Sequence, residues 1–203
     1  MTNPLVLHGR ALFHMTHIKN IPGIFKNGIL CKNLLTQKKI KFEDVSDAEI
    51  QFTRSQITIL KGSQYTLHDY VPCFFGARPP MLYAIKGRGI LQSDMVYVLV
   101  DWNILNFEKT WFTDGNARTQ GTNFYQGVAN VCHVDFEACQ AIYWTDKELR
   151  RKKQAEALKF QTVTLDEILG FVVQNDQAES ALASMLQAQH VQKKIYLAPE
   201  YYY

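Results

Sequence analysis

Glu156 follows a run of cations in RRKKQAEALKF at 150–160, and a carboxylate so placed has two readings. It can balance charge on a solvated helix. It can also be a catalytic group beside a basic surface that binds a polyanion, acting as a general base or stabilising positive charge at a reacting carbon. Arg54 lies among uncharged neighbours in FTRSQ. A guanidinium there can grip a diphosphate bidentately, although an exposed arginine would have the same neighbours. In ALFHMTH (11–17), His14 and Thr16 share one face of a strand, and Met15 and His17 share the other. Two polar groups on one face can hold a ribose or a phosphate, and a hydrogen-bonded structural histidine explains the same pattern. Lys38, Lys39 and Lys41 form one basic cluster, and Arg150, Arg151, Lys152 and Lys153 form another. Each is either a track for a phosphate backbone or a solvated face.

Other chemistries leave no trace. There is no Gly-x-x-x-x-Gly-Lys-Ser/Thr and no Gly-x-Gly-x-x-Gly, and the GRG at 87–89 reads as a turn. A Gly-x-Ser-x-Gly elbow and a His-Glu-x-x-His pair are also missing. Cys31, Cys73, Cys132 and Cys139 make no Cys-x-x-Cys and have no zinc spacing to the histidines, so no metal is expected. Free thiols suit a reducing compartment. MTNPLVLHGR has no continuous apolar stretch of the kind a secretion signal needs, and MVYVLV at 95–100 is far too short to cross a bilayer. A cytoplasmic protein without membrane contact is expected.

These residues need elements to hold them. ALFHMTH reads as a strand running into a helix, IPGIFKNGIL, with Asn20 as cap, Pro22 in the first turn and Gly28 as left-handed stop. The polar segment from Lys32 to about Asp47 lacks a period and is expected to be a long loop. EIQFTRSQI, helical or extended, carries Arg54. VPCFF is a buried-strand candidate, Pro79 and Pro80 open a helix closed by Gly87, and MVYVLVD is the strongest strand. WFTDGNAR contains a turn at Asp114–Gly115. QAEALKF and ILGFVVQ are further apolar segments. DQAESALASMLQAQ is a helix with Asp176 and Glu179 in capping-box spacing, and KIYLAPEYY closes the chain as a strand. Helices and strands intermingle without βαβ alternation, repeats or linkers. The expectation is an α+β fold in one domain, 1–203.

The totals agree with a globular domain. At 203 residues with 47% apolar and 20% charged content, the chain can build a core and is not disordered. A net charge of +3 does not by itself announce a nucleic-acid binder, so the clustering carries that expectation.

Taken together, FHMTHIKNIPGIFKNGIL, HDYVPCFFGARPPMLYAIKGRG, QSDMVYVLV, FTDGNA and RRKKQAEALKF, in this order and spacing, resemble the DarT family of bacterial DNA ADP-ribosyltransferase toxins. The similarity runs from about Leu12 to the final YLAPEYYY. YVPCFFGARPPMLYAI and the Gln-Ala-Glu core are its specific parts. Departures are Cys73 and Gly76, where bulkier residues are expected, and the lysines inside RRKKQAE; they bear on substrate preference more than on chemistry.

The resemblance implies an ADP-ribosyltransferase fold of two facing, mainly antiparallel sheets with a cleft for NAD, the ADP-ribose donor. It implies Glu156 as the catalytic glutamate and Arg54 as the arginine bracing the NAD phosphates and reaction centre. It places His14 and Thr16 on the adenosine ribose side. Tyr70, Phe74, Phe75, Met81, Leu82 and Tyr83 would line or support the nicotinamide pocket. The implied acceptor is a base of single-stranded DNA, thymine in the leading reading, with both basic clusters along the DNA path. A guanine-modifying relative and a non-catalytic nucleic-acid-binding module are the alternatives; the presence of both Arg54 and Glu156 argues against the latter. The resemblance further implies a toxin acting as a monomer, with a DarG-like macrodomain antitoxin that removes the modification.

Overall fold

The computed structural model describes residues 11–203. MTNPLVLHGR, and with it the expectation about a secretion signal, lies outside them. The chain runs β1 (Ala11–His17), α1 (Ile21–Asn27), β2 (Ile29–Leu30), α2 (Lys32–Gln37), α3 (Ala48–Gln56), β3 (Tyr70–Phe74), α4 (Pro80–Lys86) and β4 (Met95–Asp101). It continues through β5 (Trp111–Thr113), β6 (Phe124–Tyr125), α5 (Phe136–Gln140), α6 (Lys147–Lys152), β7 (Glu156–Phe160), β8 (Thr162–Val163), β9 (Ile168–Val173), α7 (Asp176–Ala188) and β10 (Lys194–Leu197). This is the expected α+β arrangement.

The facing sheets of the sequence reading are realised as two halves of one hydrogen-bonded, eight-stranded sheet of order β10-β9-β4-β1-β3-β7-β5-β6. β1 and β4 pair along their full lengths, from Ala11↔Asp101 to His17↔Met95. β3 and β7 do the same, from Tyr70↔Phe160 to Phe74↔Glu156. Between the halves, β1 and β3 share the single register pair Phe13↔Phe74. Pro72 explains the narrow seam: it has no N–H to give, and its carbonyl accepts from the His14 side chain at 2.9 Å.

β4 reads as an unbroken apolar run because both faces of the sheet are covered. Val96, Val98 and Val100 join one core layer with Leu12, Phe171 and α1; Tyr97 and Leu99 join the other with Phe13, Val172 and α4. On α7, Ala178, Leu182 and Leu186 are buried at helical spacing.

Three local expectations change. Lys32–Gln37 is helix, so the irregular segment is only 38–47. Asn20 stands at the start of α1 without capping it; its amide donates to Thr16 Oγ1 and to Glu43 O and accepts from Glu43 N, tying the 38–47 segment to β1. Asn175, one residue earlier than expected, caps α7 by accepting from Ala178 N. The terminal KIYL pairs parallel to β9 before a 3-10 turn at Pro199–Tyr201. Gly28 does stop α1 with φ +73°. Gly76 has a steric reason: a Cβ there would lie 2.2 Å from Cys139 O.

Candidate active site

Where β1 and β3 part, a cleft of about 880 Å³ opens. β1 lends it His14 and Thr16, β3 lends Tyr70 and Phe74, and β7 lends Glu156. Arg54 reaches in from the last turn of α3, a helix started by the Asp47 carboxylate accepting from Glu49 N and Ile50 N.

Glu156 begins β7 opposite Phe74 and is 3% exposed, which excludes the solvated-helix reading. Its carboxylate takes both ends of the Arg54 guanidinium, Nη1 to Oε1 at 2.9 Å and Nη2 to Oε2 at 3.2 Å. Ala117 N–H donates to Oε1 at 3.2 Å. Oε1 therefore has two donors and Oε2 one, which leaves more acceptor capacity on Oε2. The Glu156 backbone N–H donates to Thr113 Oγ1, and that hydroxyl lies 2.6 Å from Gly115 O. Strand β5 and the turn after it are thus clamped to the carboxylate they help to hold.

His14 donates from Nδ1 to Pro72 O, and burial lowers its pKa despite that bond. The neutral ring then carries its proton on Nδ1 and offers Nε2 as an acceptor. Thr16 Oγ1 accepts from Asn20. Both residues line the cleft, as do Tyr70, Phe74 and Met81. The other three pocket expectations fall elsewhere. Phe75, the residue just past β3, turns away from Phe74 and into the core, edge-on to Trp102, Phe112 and Phe136. Leu82 is buried in the layer containing Phe13. Tyr83 is exposed, beside Trp144 and Tyr203.

The basic residues also separate. Lys41, Arg150 and Arg151 line the cleft, and Lys38 and Lys39 are exposed outside it. Arg151 is nevertheless committed to Asp114 and Glu148, and Lys152 to Asp135. Lys153 is an internal cation, 1% exposed, with Nζ 3.2 Å from Cys139 O and 3.5 Å from Ala77 O. It is no part of a DNA-facing wall. Burial pushes its pKa down to about 8.

The loop after β5, not among the residues expected at the site, brings Asn116, Arg118 and Thr119 to the cleft. FTDGNAR showed only its turn signal. His68 also lines the cleft, with Nε2 buried and unpartnered. Burial, then Arg54 and Lys32, lower its pKa. A histidine just before a strand gives no sequence signal of such placement. Among the described residues, no group of three or more His, Cys, Asp or Glu could hold a metal ion, and no helix is long and apolar enough to cross a membrane.

Residues 13–203 match the family model described as "DarT: ssDNA thymidine ADP-ribosyltransferase, DarT". A "DNA ADP-ribosyl transferase" of Thermus aquaticus is 33% identical over 191 residues, covering 88% of this chain and 83% of that protein. A "DNA ADP-ribosyl transferase-DNA ADP-ribosyl glycohydrolase fusion protein" of Thermosipho africanus is 29% identical, covering 90% of this chain and 47% of the fusion. The solved structure "Thermus sp. 2.9 DarT in complex with ADP-ribosylated ssDNA" superposes with a TM-score of 0.85 at 27% identity, covering 95% of this chain and 96% of that one. The same Thermus protein in complex with NAD+ gives 0.80 at 26% identity, covering 95% and 97%. The family description names thymidine, which selects the thymine reading over the guanine one. The chain belongs to the DarT family of single-stranded-DNA thymidine ADP-ribosyltransferases.

Proposed function

We propose that Glu156 and Arg54 form the reaction centre of this DNA ADP-ribosyltransferase, with NAD as donor and thymine in single-stranded DNA as acceptor. The bidentate ion pair at the base of a cleft large enough for a dinucleotide carries this reading. As the bond between nicotinamide and ribose breaks, neutral nicotinamide leaves and the anomeric carbon gains oxocarbenium character. The Glu156 carboxylate stabilises that charge. The one ring N–H of thymidine lies on its pairing edge and must lose its proton as the nitrogen bonds to the anomeric carbon. Oε2, with capacity to spare, is the base within the site. Arg54 holds the carboxylate in place before NAD arrives and can turn toward the diphosphate once it binds. His14, Thr16, Tyr70, Phe74 and Met81 form the NAD walls. The pairing edge is reachable in a single strand without the unpairing cost of a duplex.

The same proposal covers a toxin role: a monomeric, cytoplasmic, single-domain enzyme whose lesion is removed by a DarG-like macrodomain partner. The Thermosipho relative supports it by joining a transferase to a glycohydrolase in one chain.

The test is Glu156→Gln, which keeps shape and some hydrogen bonding and removes the charge and the base. ADP-ribosylation of a thymidine-containing oligonucleotide, read by mass at a temperature where the variant is folded, should fall at least ~100-fold, with NAD affinity close to the parent. The melting temperature should drop, because the largely buried Arg54 guanidinium loses its counter-ion. Near-normal modification by the Gln variant would remove Glu156 from the chemistry.

A further inference from the structure

Both α4, through Met81 and Ala84, and α6, through Lys147 and Arg150, line the cleft. Each region also sends an aromatic ring to a common point. Tyr83 of α4 meets Trp144, just ahead of α6, at a centroid distance of 5.9 Å and 81°. Tyr203 completes the triad, 5.4 Å from Tyr83 and 5.8 Å from Trp144.

The triad is braced from behind. Tyr203 Oη donates to Arg78 O at 2.6 Å, its backbone N–H donates to Gln92 Oε1 at 2.8 Å, and the Arg78 guanidinium lies 4.5 Å over its ring. Tyr83 is nonetheless 56% exposed, and Tyr143, next to Trp144, is 77% exposed. Rings that exposed are not filling a core, and Tyr83 is held edge-on by Trp144 and the braced Tyr203. Among the described residues, Lys147 and Arg150 have no ion-pair partner. Two cations without ion pairs thus line the cleft from α6, the helix that begins just after Trp144.

We propose that Tyr83, with Tyr143 and Trp144, forms a base-stacking subsite for a nucleotide flanking the target thymidine. The proposal rests on the reading of the cleft as the DNA-modifying site and extends it to a second nucleotide. Lys147 and Arg150 neutralise the phosphates between the two positions. Stacking on an aromatic ring suits any base, because every base has a π face, so this subsite adds affinity and fixes the path of the strand more than it reads sequence. Charge complementarity, and the cleft contacts that α4 makes through Met81 and Ala84 and α6 through Lys147 and Arg150, favour DNA over a protein partner here.

The experiment uses thymidine oligonucleotides in which an abasic residue replaces one flanking base at a time. KM and kcat are measured for the unaltered protein, Tyr83→Ala and Tyr83→Phe. The unaltered protein should show one flanking position where base removal raises KM about tenfold, the scale of a stacked base. In Tyr83→Ala, KM for the intact strand should already be raised to that level, and removing the base should add nothing. Tyr83→Phe should restore the difference. The salt slope of binding should be the same for Tyr83→Ala as for the parent, and should shrink by about 0.7 in Lys147→Ala, the value for one phosphate of a single strand.

Abasic penalties that are identical in the parent and Tyr83→Ala would overturn the proposal. So would a uniform rise in KM on every strand accompanied by a lowered melting temperature, which would make Tyr83 a brace for Tyr203. Unchanged DNA behaviour with loss of binding to a macrodomain protein would assign the patch to a protein partner instead. Equilibrium binding of the same strands without NAD runs the same cycle independently of turnover. A protein that modifies nothing would thus refute the reaction-centre reading and still decide the subsite.

Discussion

The basic clusters at 38–41 and 150–153 look alike in the sequence and are used in opposite ways. Lys38, Lys39 and Lys41 follow the end of α2 in an irregular segment; all three are exposed, and none has an ion pair among the described residues. Arg150 to Lys153 lie at the end of α6, where each residue turns about 100° from the last. Consecutive side chains there point in different directions and meet different surroundings. Arg150 faces the cleft, Arg151 bridges Asp114 and Glu148, Lys152 pairs with Asp135, and Lys153 enters the interior. A run of cations is therefore not one surface when a helix carries it.

Arg151→Ala should break the comparison most sharply. Arg151 Nη1 donates to Asp114 Oδ1 at 2.9 Å and to Thr122 Oγ1 at 3.3 Å, anchoring the loop whose Ala117 N–H holds Glu156. Burial pushes the Asp114 carboxyl up, yet hydrogen bonds from Asn123 and then Arg151 leave its pKa lowered. Removing a partner from such a pair costs about 3 kcal/mol. Chemical denaturation should show that loss, and turnover should fall with it, whereas neutralising Lys38, Lys39 and Lys41 together should leave stability within about 0.5 kcal/mol of the parent.

Lys153 sharpens the contrast through pH. Its pKa of about 8 lies below the ordinary lysine value of 10.5. Between those values the unfolded chain holds a proton that the folded one has released, so stability from this group rises with pH. Below about 8 the buried charge is a cost. Cys139, raised by burial to about 12, acts in the opposite direction at alkaline pH. The difference between the parent and Lys153→Met isolates the lysine: the parent should gain stability relative to the variant from pH 8 to 10. A constant difference across that range would mean Lys153 does not titrate there.

Much of the scaffold was legible because strands buried on both faces leave continuous apolar runs. MVYVLVD became β4, ILGFVVQ gave β9, and QAEALKF gave β7 with Glu156 at its head. The Arg54–Glu156 pair was legible only as two separate candidates, since nothing in a sequence states that residues 102 positions apart share hydrogen bonds. Backbone phase explains why Phe74 and Met81 line the cleft while Phe75, Leu82 and Tyr83 do not: the strand and the residue after it separate Phe74 from Phe75, and a helix separates Met81 from Leu82 and Tyr83, by direction and not by residue type. The loop contributing Asn116, Arg118 and Thr119 has no periodicity from which its destination could be read.

Arg150 and Lys41 are where the two clusters should behave alike, because both line the cleft. Arg150→Ala and Lys41→Ala should each weaken single-stranded DNA binding and reduce its salt slope by about 0.7, with the fold untouched. Binding isotherms at several salt concentrations measure both quantities. An unchanged slope in either variant would return that residue to an ordinary solvated surface.

The smallest effect belongs to Lys39, and its direction is informative. Lys39 is exposed, lies outside the cleft lining and has φ +53°, a left-handed conformation that costs a residue with a Cβ about 1 kcal/mol. Lys39→Gly relieves that conformation and removes one charge, although glycine also gives the unfolded chain more freedom. The net gain in stability should therefore be a few tenths of a kcal/mol, about half the conformational cost or less. If Lys39 stands away from the DNA path, binding at moderate salt should change less than twofold, well below the effect of Lys41→Ala. A loss as large as that of Lys41→Ala would mean that the strand leaves the cleft along this segment, and that the left-handed turn at Lys39 is kept to aim its ammonium at a phosphate.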